Sequence, residues 1–409
     1  MKKHHPAPLR PPMATGRLHL LFVADPIESF KIHKDSTYAM MQQALKRGHA
    51  VWVCEPGDLH WRGGGGRRVA PTLAAAAAAL PPEGAHPALG RPGGGVNVAP
   101  TLAAAAAALP PEGAHPALGR PGGGVNVAPT LAAAPVTAVC RRIEILPAAP
   151  GQPWWRVLDQ RPLALRDVDV VLMRKDPPFD SEYFYATHLL QQAEREGAVV
   201  VNSPRALRDH PEKLAILEFA PYIAPTLVSR RAADIKAFYA EHGDIILKPL
   251  DGMGGSGIFR LRQQADGSPD PNLNVVIETL TALQTRTVMA QRFVAAIAQG
   301  DKRVLLIDGE PVPYSLARIP QGGETRGNLA AGGLGVAQPL TVADRAIAAA
   351  IGPLLAARGL LLVGIDIIGD VLTEINVTSP TCFQEITQQT GYDVASHFID
   401  AVERAARRR

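Results

Sequence analysis

Residues 364–376 read GIDIIGDVLTEIN. Asp366 falls on one strand-like run. Glu374 and Asn376 fall two apart on the next, so they project from the same face. A turn at Gly369–Asp370 brings the two runs together. Three hard oxygen donors then face one point, a set suited to Mg²⁺ carrying nucleotide phosphates. The competing reading is a solvated hairpin with outward acids. The apolar Ile365, Ile367, Ile368, Leu372 and Ile375 around the acids argue for the metal instead.

Three other segments carry chemistry. In DIILKPLDGMGGSGIFR, from Asp244, a strand delivers Lys248 to a turn with Gly252, Gly254, Gly255 and Gly257 around Ser256. Glycines let backbone N–H groups converge on an anion, and the lysine adds a point charge for phosphate oxygens. No GK[ST] opens a helix here, so this is not a Walker loop. A plain hairpin turn is the alternative. Residues 317–335 hold six glycines, with Arg318 near the start and Arg326 at the middle. That composition suits a lid over a reactive phosphoryl intermediate, or an ordinary surface loop. In GDKR, from Gly300, Asp301 and Arg303 alternate onto one face; alone, they read as solvated turn charges.

The elements that must position these residues alternate in type. Strand-like runs at Leu18–Ala24, Val51–Cys54, Val168–Met173 and Ala198–Val201 are separated by helical periodicity at Ser36–Arg47 and Ser181–Glu196. Tyr38, Met41, Ala44 and Leu45 form the apolar stripe of the first helix. This is βαβ patterning, hence an N-terminal parallel sheet in an α/β fold. After Asn202–Pro204 the pattern turns to hairpins, α+β in character. Ile245–Pro249 pairs with Gly257–Arg262, and Leu361–Ile368 with Val371–Asn376. Further strands read at Val288–Phe293, Arg303–Ile307 and Glu310–Leu316, and helices at Ala343–Arg358 and Val394–Arg404.

The chain has 409 residues, room for two or three domains. Its 46% hydrophobic and 20% charged composition is that of an ordinary globular protein. The formal charge of +4 sits partly at the two ends, which excludes a nucleic-acid patch. Cys54, Cys140 and Cys382 show no CxxC spacing and fit a reducing cytoplasm. Cys54 and Cys382 read as small buried hydrophobes rather than nucleophiles. No apolar run approaches the roughly 20 residues of a membrane span. Residues 1–16 read as a disordered extension, with Met13 as an alternative start. VAPTLAAA recurs at Val69, Val98 and Val127, a period of 29 residues, and the first two copies are identical. Such Ala, Gly and Pro-rich sequence buries too little apolar area to offset the entropy of ordering it. Residues 62–134 therefore read as a disordered low-complexity insert.

Five strings carry a resemblance: DPIESFKIHKDSTYAMM from Asp25, LMRKDPPFDSEYFYAT from Leu172, ILKPLDGMGGSGIFR from Ile246, GDKRVLLIDGEPVPYSLARIPQGGETRGNLAAGG from Gly300 and VGIDIIGDVLTEINVTSPTCFQEI from Val363. Together they resemble the ATP-grasp superfamily and, within it, the prokaryotic glutathione synthetases. The resemblance implies a substrate-side α/β domain over 17–207, interrupted by the insert, and an ATP-grasp domain over 208–404. It implies ligation of γ-glutamylcysteine to glycine with ATP as co-substrate and Mg²⁺ as cofactor, Mn²⁺ being an alternative. Lys213, Lys248 and the turn Asp251–Gly257, including Gly252, Gly254, Gly255, Ser256 and Gly257, would hold the triphosphate. Gln291 and Phe293 would meet adenine through their backbones, and Asp301 the ribose. Asp366, Glu374 and Asn376 would be the Mg²⁺ ligands. Arg303, Arg318 and Arg326 would be catalytic, the first two at the transferred phosphoryl group and Arg326 in the mobile loop. Asp25–Ser36 and Asn376–Thr381 would wall the peptide substrate. A cytoplasmic homotetramer is implied, with no membrane or nucleic-acid partner. Leu334 departs from the family, which commonly has a basic residue there. Another ATP-grasp carboxylate–amine ligase remains the alternative.

Overall fold

The computed structural model describes residues 16–63, 134–147, 152–323, 326–329 and 332–408. The expected extension before Gly16, and the repeats of the expected insert, lie outside the described residues.

The first sheet contains β1 (His19–Val23), β2 (Ala50–Cys54), β3 (Thr137–Ile145), β4 (Trp155–Ala164), β5 (Val170–Met173) and β6 (Val200–Val201) in the order β4-β3-β2-β1-β5-β6. β1, β2, β5 and β6 are parallel, as their alternation with helices predicts. Their near-continuous Val and Leu content matches burial on both faces. β3 and β4 add an antiparallel edge that makes the sheet mixed rather than purely parallel. Their outward-facing charges, Arg141, Glu144, Arg156 and Arg161 among them, hid these strands in the sequence. Helix α1 (Ser36–Lys46) starts at Asp35, whose side chain accepts from Tyr38 N, and buries Tyr38, Met40, Met41 and Ala44. Met40, outside the expected stripe, is buried as well. Helix α2 (Ser181–Arg195) starts likewise at Asp180. The short α3 (Pro204–Asp209) follows β6.

The second sheet is antiparallel: β7 (Thr226–Ser229), β8 (Asp244–Pro249), β9 (Phe259–Arg262) and β10 (Val288–Arg292), in the order β7-β10-β8-β9. Helices α4 (Ala232–His242) and α5 (Leu273–Leu280) pack on it through Ile235, Tyr239 and Ile277. β8 and β9 are the expected hairpin around the glycine turn.

The third sheet is β11 (Asp301–Ile307), β12 (Glu310–Ile319), β13 (Leu334–Pro339), β14 (Leu362–Ile368) and β15 (Val371–Asn376), in the order β13-β12-β11-β14-β15, all antiparallel. Helix α6 (Val342–Ala357) opens with a capping box between Thr341 and Asp344; α7 (Phe383–Thr390) and α8 (Val394–Arg407) close the chain. The glycine-rich segment expected to be mobile from Ala317 to Gly335 is strand at both ends. Arg318 pairs with Gly335 and Ile319 with Leu334, so Arg318 sits in the sheet and not in a loop.

Two buried clusters run through the first and third sheets, one from Leu21 and Val171 to Val304 and Ile365, the other from Phe22 and Val51 to Leu305 and Phe398. Asn202 ties the same sheets with its amide. Its Nδ2 donates to Leu362 O at 2.8 Å and Val377 O at 2.9 Å, and its Oδ1 accepts from Leu362 N at 2.9 Å. A buried amide satisfied on both ends fixes β14 relative to β6. No helix among the described residues is long and apolar enough to cross a membrane.

Candidate active site

A cavity of about 680 Å³ opens between elements of all three sheets. The β14–β15 hairpin forms one wall. Its register sets Asp366 opposite Glu374 and Gly364 opposite Asn376. The turn is made by Gly369 at φ +63°, a left-handed conformation that favours glycine, and Lys302 Nζ donates to its carbonyl at 2.8 Å. Glu374 and Asn376 line the cavity. Asn376 Nδ2 donates to Gly364 O at 3.2 Å, which leaves its side-chain oxygen for the cavity.

Asp366 lies behind that wall, gripped by two arginines. Arg303 Nε and Nη2 donate to its two oxygens at 2.5 and 3.1 Å, and Arg318 Nη2 reaches Oδ2 at 2.8 Å. Strand pairing makes this unavoidable, since Arg303 faces Asp366 across β11–β14 and Arg318 faces Asp301 across β11–β12. Arg318 Nη2 also donates to Asp301 Oδ2 at 2.5 Å. Burial would raise the Asp366 carboxyl, but Arg303 and Arg318 outweigh it and hold the group well below the usual range. Asp301 goes the other way. Burial and the neighbouring Asp366 charge push it up to about 6 despite Arg318. Its Oδ1 is buried and accepts no hydrogen bond from the described residues.

Two lysines reach the same hairpin. Lys213 Nζ donates to Gly252 O at 2.5 Å and to Glu374 Oε1 at 2.9 Å. Among the described residues Lys248, near the end of β8, donates only to Thr373 O, at 3.3 Å. Burial pulls its ammonium down to about 8, partly offset by Glu374. Between the lysines runs the glycine turn, with Gly254, Gly255 and Gly257 at φ +61°, +84° and +70°. A Cβ on Gly255 would meet Asn328 Oδ1 at 2.7 Å. Arg326 Nη1 donates to Gly255 O at 3.3 Å, which joins residues 326–328 to the turn. Gly252, Gly254, Gly255, Ser256 and Arg326 line the cavity; Gly257 and Asp366 do not.

The hinge at 291–294 also lines it. Gln291 Nε2 donates to Thr226 Oγ1 at 3.0 Å. Phe293 N–H donates to Asp244 O at 3.0 Å, so it is already spent within the protein and is not free for a base. The β8–β10 ladder continues one residue past the strand end, which is why. Arg260 covers the Phe293 ring at 3.5 Å.

Glu212 was not singled out from sequence, yet it fixes the exit of β15. Its Oε1 accepts from Val377 N, Thr378 N and Thr378 Oγ1 at 3.0, 3.1 and 2.7 Å, and its own carbonyl accepts from Ile375 N at 3.0 Å. Burial, then the Glu374 charge, raises its carboxyl. Its position beside Lys213 was the one available signal. Cys382 is buried at φ +84°, and burial pushes its thiol up, as befits a group that is not a nucleophile. Among the described residues, no cluster of three or more His, Cys, Asp or Glu is arranged to hold a metal. The expected set is two carboxylates and an amide.

Family models described as prokaryotic glutathione synthetase, ATP-grasp domain and N-terminal domain match residues 212–391 and residues 18–82 with 130–208, respectively. A glutathione synthetase of Ralstonia nicotianae is 47% identical over 95% of this chain and 96% of its own length. The chain belongs to the prokaryotic glutathione synthetase family. A glutathione synthetase of Neisseria meningitidis serogroup B is 46% identical over 94% of this chain and 98% of its own, and one of Pseudomonas putida is 56% identical over 63% and 79%. The fold is ATP-grasp. The ligase PsnB, solved with a minimal precursor, Mg and ADP, aligns at TM-score 0.50 and 16% identity over 95% of this chain and 98% of its own. A Chryseobacterium gregarium RiPP-associated ATP-grasp ligase aligns at TM-score 0.50 and 12% identity over 95% of each.

Proposed function

We propose that this chain ligates γ-L-glutamyl-L-cysteine to glycine, giving glutathione, ADP and phosphate. The observation that carries the reading is one cavity lined by oxygen donors of the β14–β15 hairpin, by two lysines bonded to that hairpin and by a glycine turn. That arrangement holds a nucleoside triphosphate between cations and hard oxygens. Lys213, Lys248 and the N–H groups of Gly252–Ser256 face the phosphates. The unpartnered Asp301 Oδ1 suits a ribose hydroxyl, which would supply its missing donor. Gln291–Val294 walls the base.

The acid wall fits Mg²⁺. Glu374 keeps one oxygen and Asn376 its carbonyl oxygen for a cation, and these two would hold it; Asp366, behind them, spends three of a carboxylate's roughly four lone pairs on its arginines. A Mg²⁺ ion held by Glu374 and Asn376 would neutralise phosphate charge. We assign Mn²⁺ as a substitute that takes the same oxygen ligands.

The reaction is carboxylate activation. The cysteinyl carboxylate attacks the γ-phosphorus, the bond to ADP breaks, and an acyl phosphate forms. The neutral glycine amine then attacks the acyl carbon, phosphate leaves, and the amine loses its proton. Arg303 and Arg318 have N–H groups beyond those spent on Asp366 and Asp301, and these face developing charge on the phosphoryl oxygens. Arg326, tied to the glycine turn, couples residues 326–329 to the phosphate wall and so to water exclusion. We place the enzyme in the cytoplasm as a homotetramer, which light scattering of the purified chain checks.

Phosphate release from ATP and Mg²⁺, with each co-substrate supplied or withheld, tests the function. Release that needs both γ-glutamylcysteine and glycine, with glutathione as product, is expected. Release with a different carboxylate and amine pair would overturn the substrate assignment.

A further inference from the structure

Among the described residues, none from β3 or β4 lines the cavity, and these strands take no part in the chemistry. Their hairpin nevertheless reaches the loop between β1 and α1, residues 24–35, which does line it. Asp25, Ser29, Phe30, Lys31, Lys34 and Asp35 of that loop face the cavity. The loop is tied at both ends. Lys175 Nζ meets Asp25 Oδ1 at 2.7 Å, and Gln384 Nε2 donates to Ile32 O at 2.8 Å and to Asp35 O at 2.6 Å. Between those ties lies one short turn, Ile27–Ser29, with Ile27 buried.

The middle of the loop is gripped by the hairpin. Trp154, just before β4, stacks on Phe30 with ring centroids 6.1 Å apart and planes at 17°, and meets Tyr38 of α1 edge-on at 5.1 Å. Trp155 packs edge-on against Trp154 at 6.4 Å, and the Arg141 guanidinium covers the Trp155 ring at 5.4 Å. Arg141 Nη1 also donates to Glu28 Oε1 at 3.0 Å. Trp154 O accepts from Leu146 N at 2.7 Å, and Ile145 pairs with Trp155, so both tryptophans are fixed to the β3–β4 ladder. Offset and edge-on ring pairs at these distances attract beyond the area they bury. A two-stranded ladder thus holds Glu28 and Phe30, two apart on a loop with no strand of its own.

We propose that the β3–β4 hairpin positions the acyl-donor side of the cavity, with Trp154 acting through Phe30 and Arg141 through Glu28. This rests on the ligase reading above. Trp154 and Arg141 do not line the cavity, so they are positioning residues and not catalytic ones. Lys248, Gln291 and the glycine turn belong to the second sheet, so ATP does not sense the hairpin. The loop comes from the first sheet, and γ-glutamylcysteine is the larger of the two other substrates. A binding loop needs a rigid support, and apparent affinity falls with the fraction of molecules whose loop is in place.

The test makes Trp154→Ala, Trp154→Phe, Arg141→Gln, Glu28→Gln and the Arg141→Gln/Glu28→Gln double variant in the full chain. Kinetics with γ-glutamylcysteine, glycine, ATP and Mg²⁺ are run beside timed trypsin cleavage after Lys31, which is exposed on the loop. Trp154→Ala should raise KM for γ-glutamylcysteine by ~10-fold, the scale of lost ring pairs, with KM for ATP and kcat held. Trp154→Phe keeps an aromatic face and should recover most of that loss. Arg141→Gln and Glu28→Gln should each raise the donor KM by only ~2-fold, and the double variant no further, since each removes the same surface pair. Cleavage after Lys31 should quicken in Trp154→Ala in step with its donor KM, and slow again in Trp154→Phe. A fall in kcat with both KM values unchanged, or KM for ATP rising as much as that for the donor, would overturn the positioning role while the ligase reading stood. Cleavage after Lys31 at the wild-type rate in Trp154→Ala would overturn it as well. A wild type that ignores γ-glutamylcysteine would overturn the ligase reading, and cleavage after Lys31 would then decide the hairpin's hold on the loop by itself. Should Trp154→Ala not fold, the surface variants Arg141→Gln and Glu28→Gln decide by the same split between donor and ATP.

Discussion

Arg303 and Arg318 are held by carboxylates, whereas Lys248 is held by one long bond to a backbone carbonyl and Lys213 by a carbonyl and a single glutamate oxygen. Both regions line one cavity and both carry two positive charges. The arginines sit in neighbouring strands opposite their acids, and forked guanidinium geometry locks them before any ligand arrives. The lysines sit against a glycine turn and exchange weak partners for phosphate oxygens. One region is preorganised at the cost of fold stability if broken. The other is left undersatisfied, ready for a ligand.

Breaking the arginine side should therefore hurt most. Arg303→Met leaves Asp366 buried with Arg318 alone, and removing one partner of a buried pair costs ~3–5 kcal/mol. Urea unfolding should show that loss, and phosphate release should fall to background. An unchanged unfolding midpoint would show that the pair does not hold the sheet.

On the lysine side, function and stability should part. Lys248→Met should raise KM for ATP by ~100-fold, the scale of a lost charge-assisted contact, while unfolding at pH 7 shifts by under ~1 kcal/mol or rises. The pH dependence sharpens this. Lys248 is pulled to about 8 in the fold from an ordinary 10.5, so the folded state sheds the proton first. Its penalty is full below pH 8 and relieved between 8 and 10.5, so wild-type stability without metal should gain up to ~3 kcal/mol over that window relative to Lys248→Met. Parallel curves for the two proteins would contradict it.

Smaller effects test the turn between them. Gly255→Ala places a Cβ against Asn328 at a left-handed φ, and should cost ~1–3 kcal/mol and weaken ATP binding, read by calorimetry. Smallest of all, deleting residues 69–126 should leave both regions intact, with activity unchanged and the unfolding midpoint no lower. Loop closure changes by only about 0.6 kcal/mol per doubling of length. A drop in either would give those residues a role in the fold.

The same contrast explains what could be read from the chain. The β14–β15 hairpin was legible because its turn, alternation and acids lie within thirteen residues of sequence. Lys248 and its glycine turn were legible for the same reason. What Asp366 faces was not. Its arginines come from strands 63 and 48 residues away, and period-2 patterning is silent about which strand lies alongside. Glu212 stayed hidden because its meaning lies in tertiary partners. β13 was hidden by its glycine-rich approach, and β3 and β4 by their charged outer faces. That the Phe293 N–H is spent on Asp244 O was hidden too, because the ladder runs one residue past its strand.

The chemistry turns on how the cysteinyl carboxylate is activated. Supplying γ-glutamylcysteine labelled with ¹⁸O in both oxygens of that carboxylate, and analysing the released phosphate by mass spectrometry, tests it. One labelled oxygen in each phosphate, and one kept in each new amide, is the expected result. Label appearing in water, with unlabelled phosphate, would mean that no acyl phosphate forms and would contradict the chemistry assigned to this site.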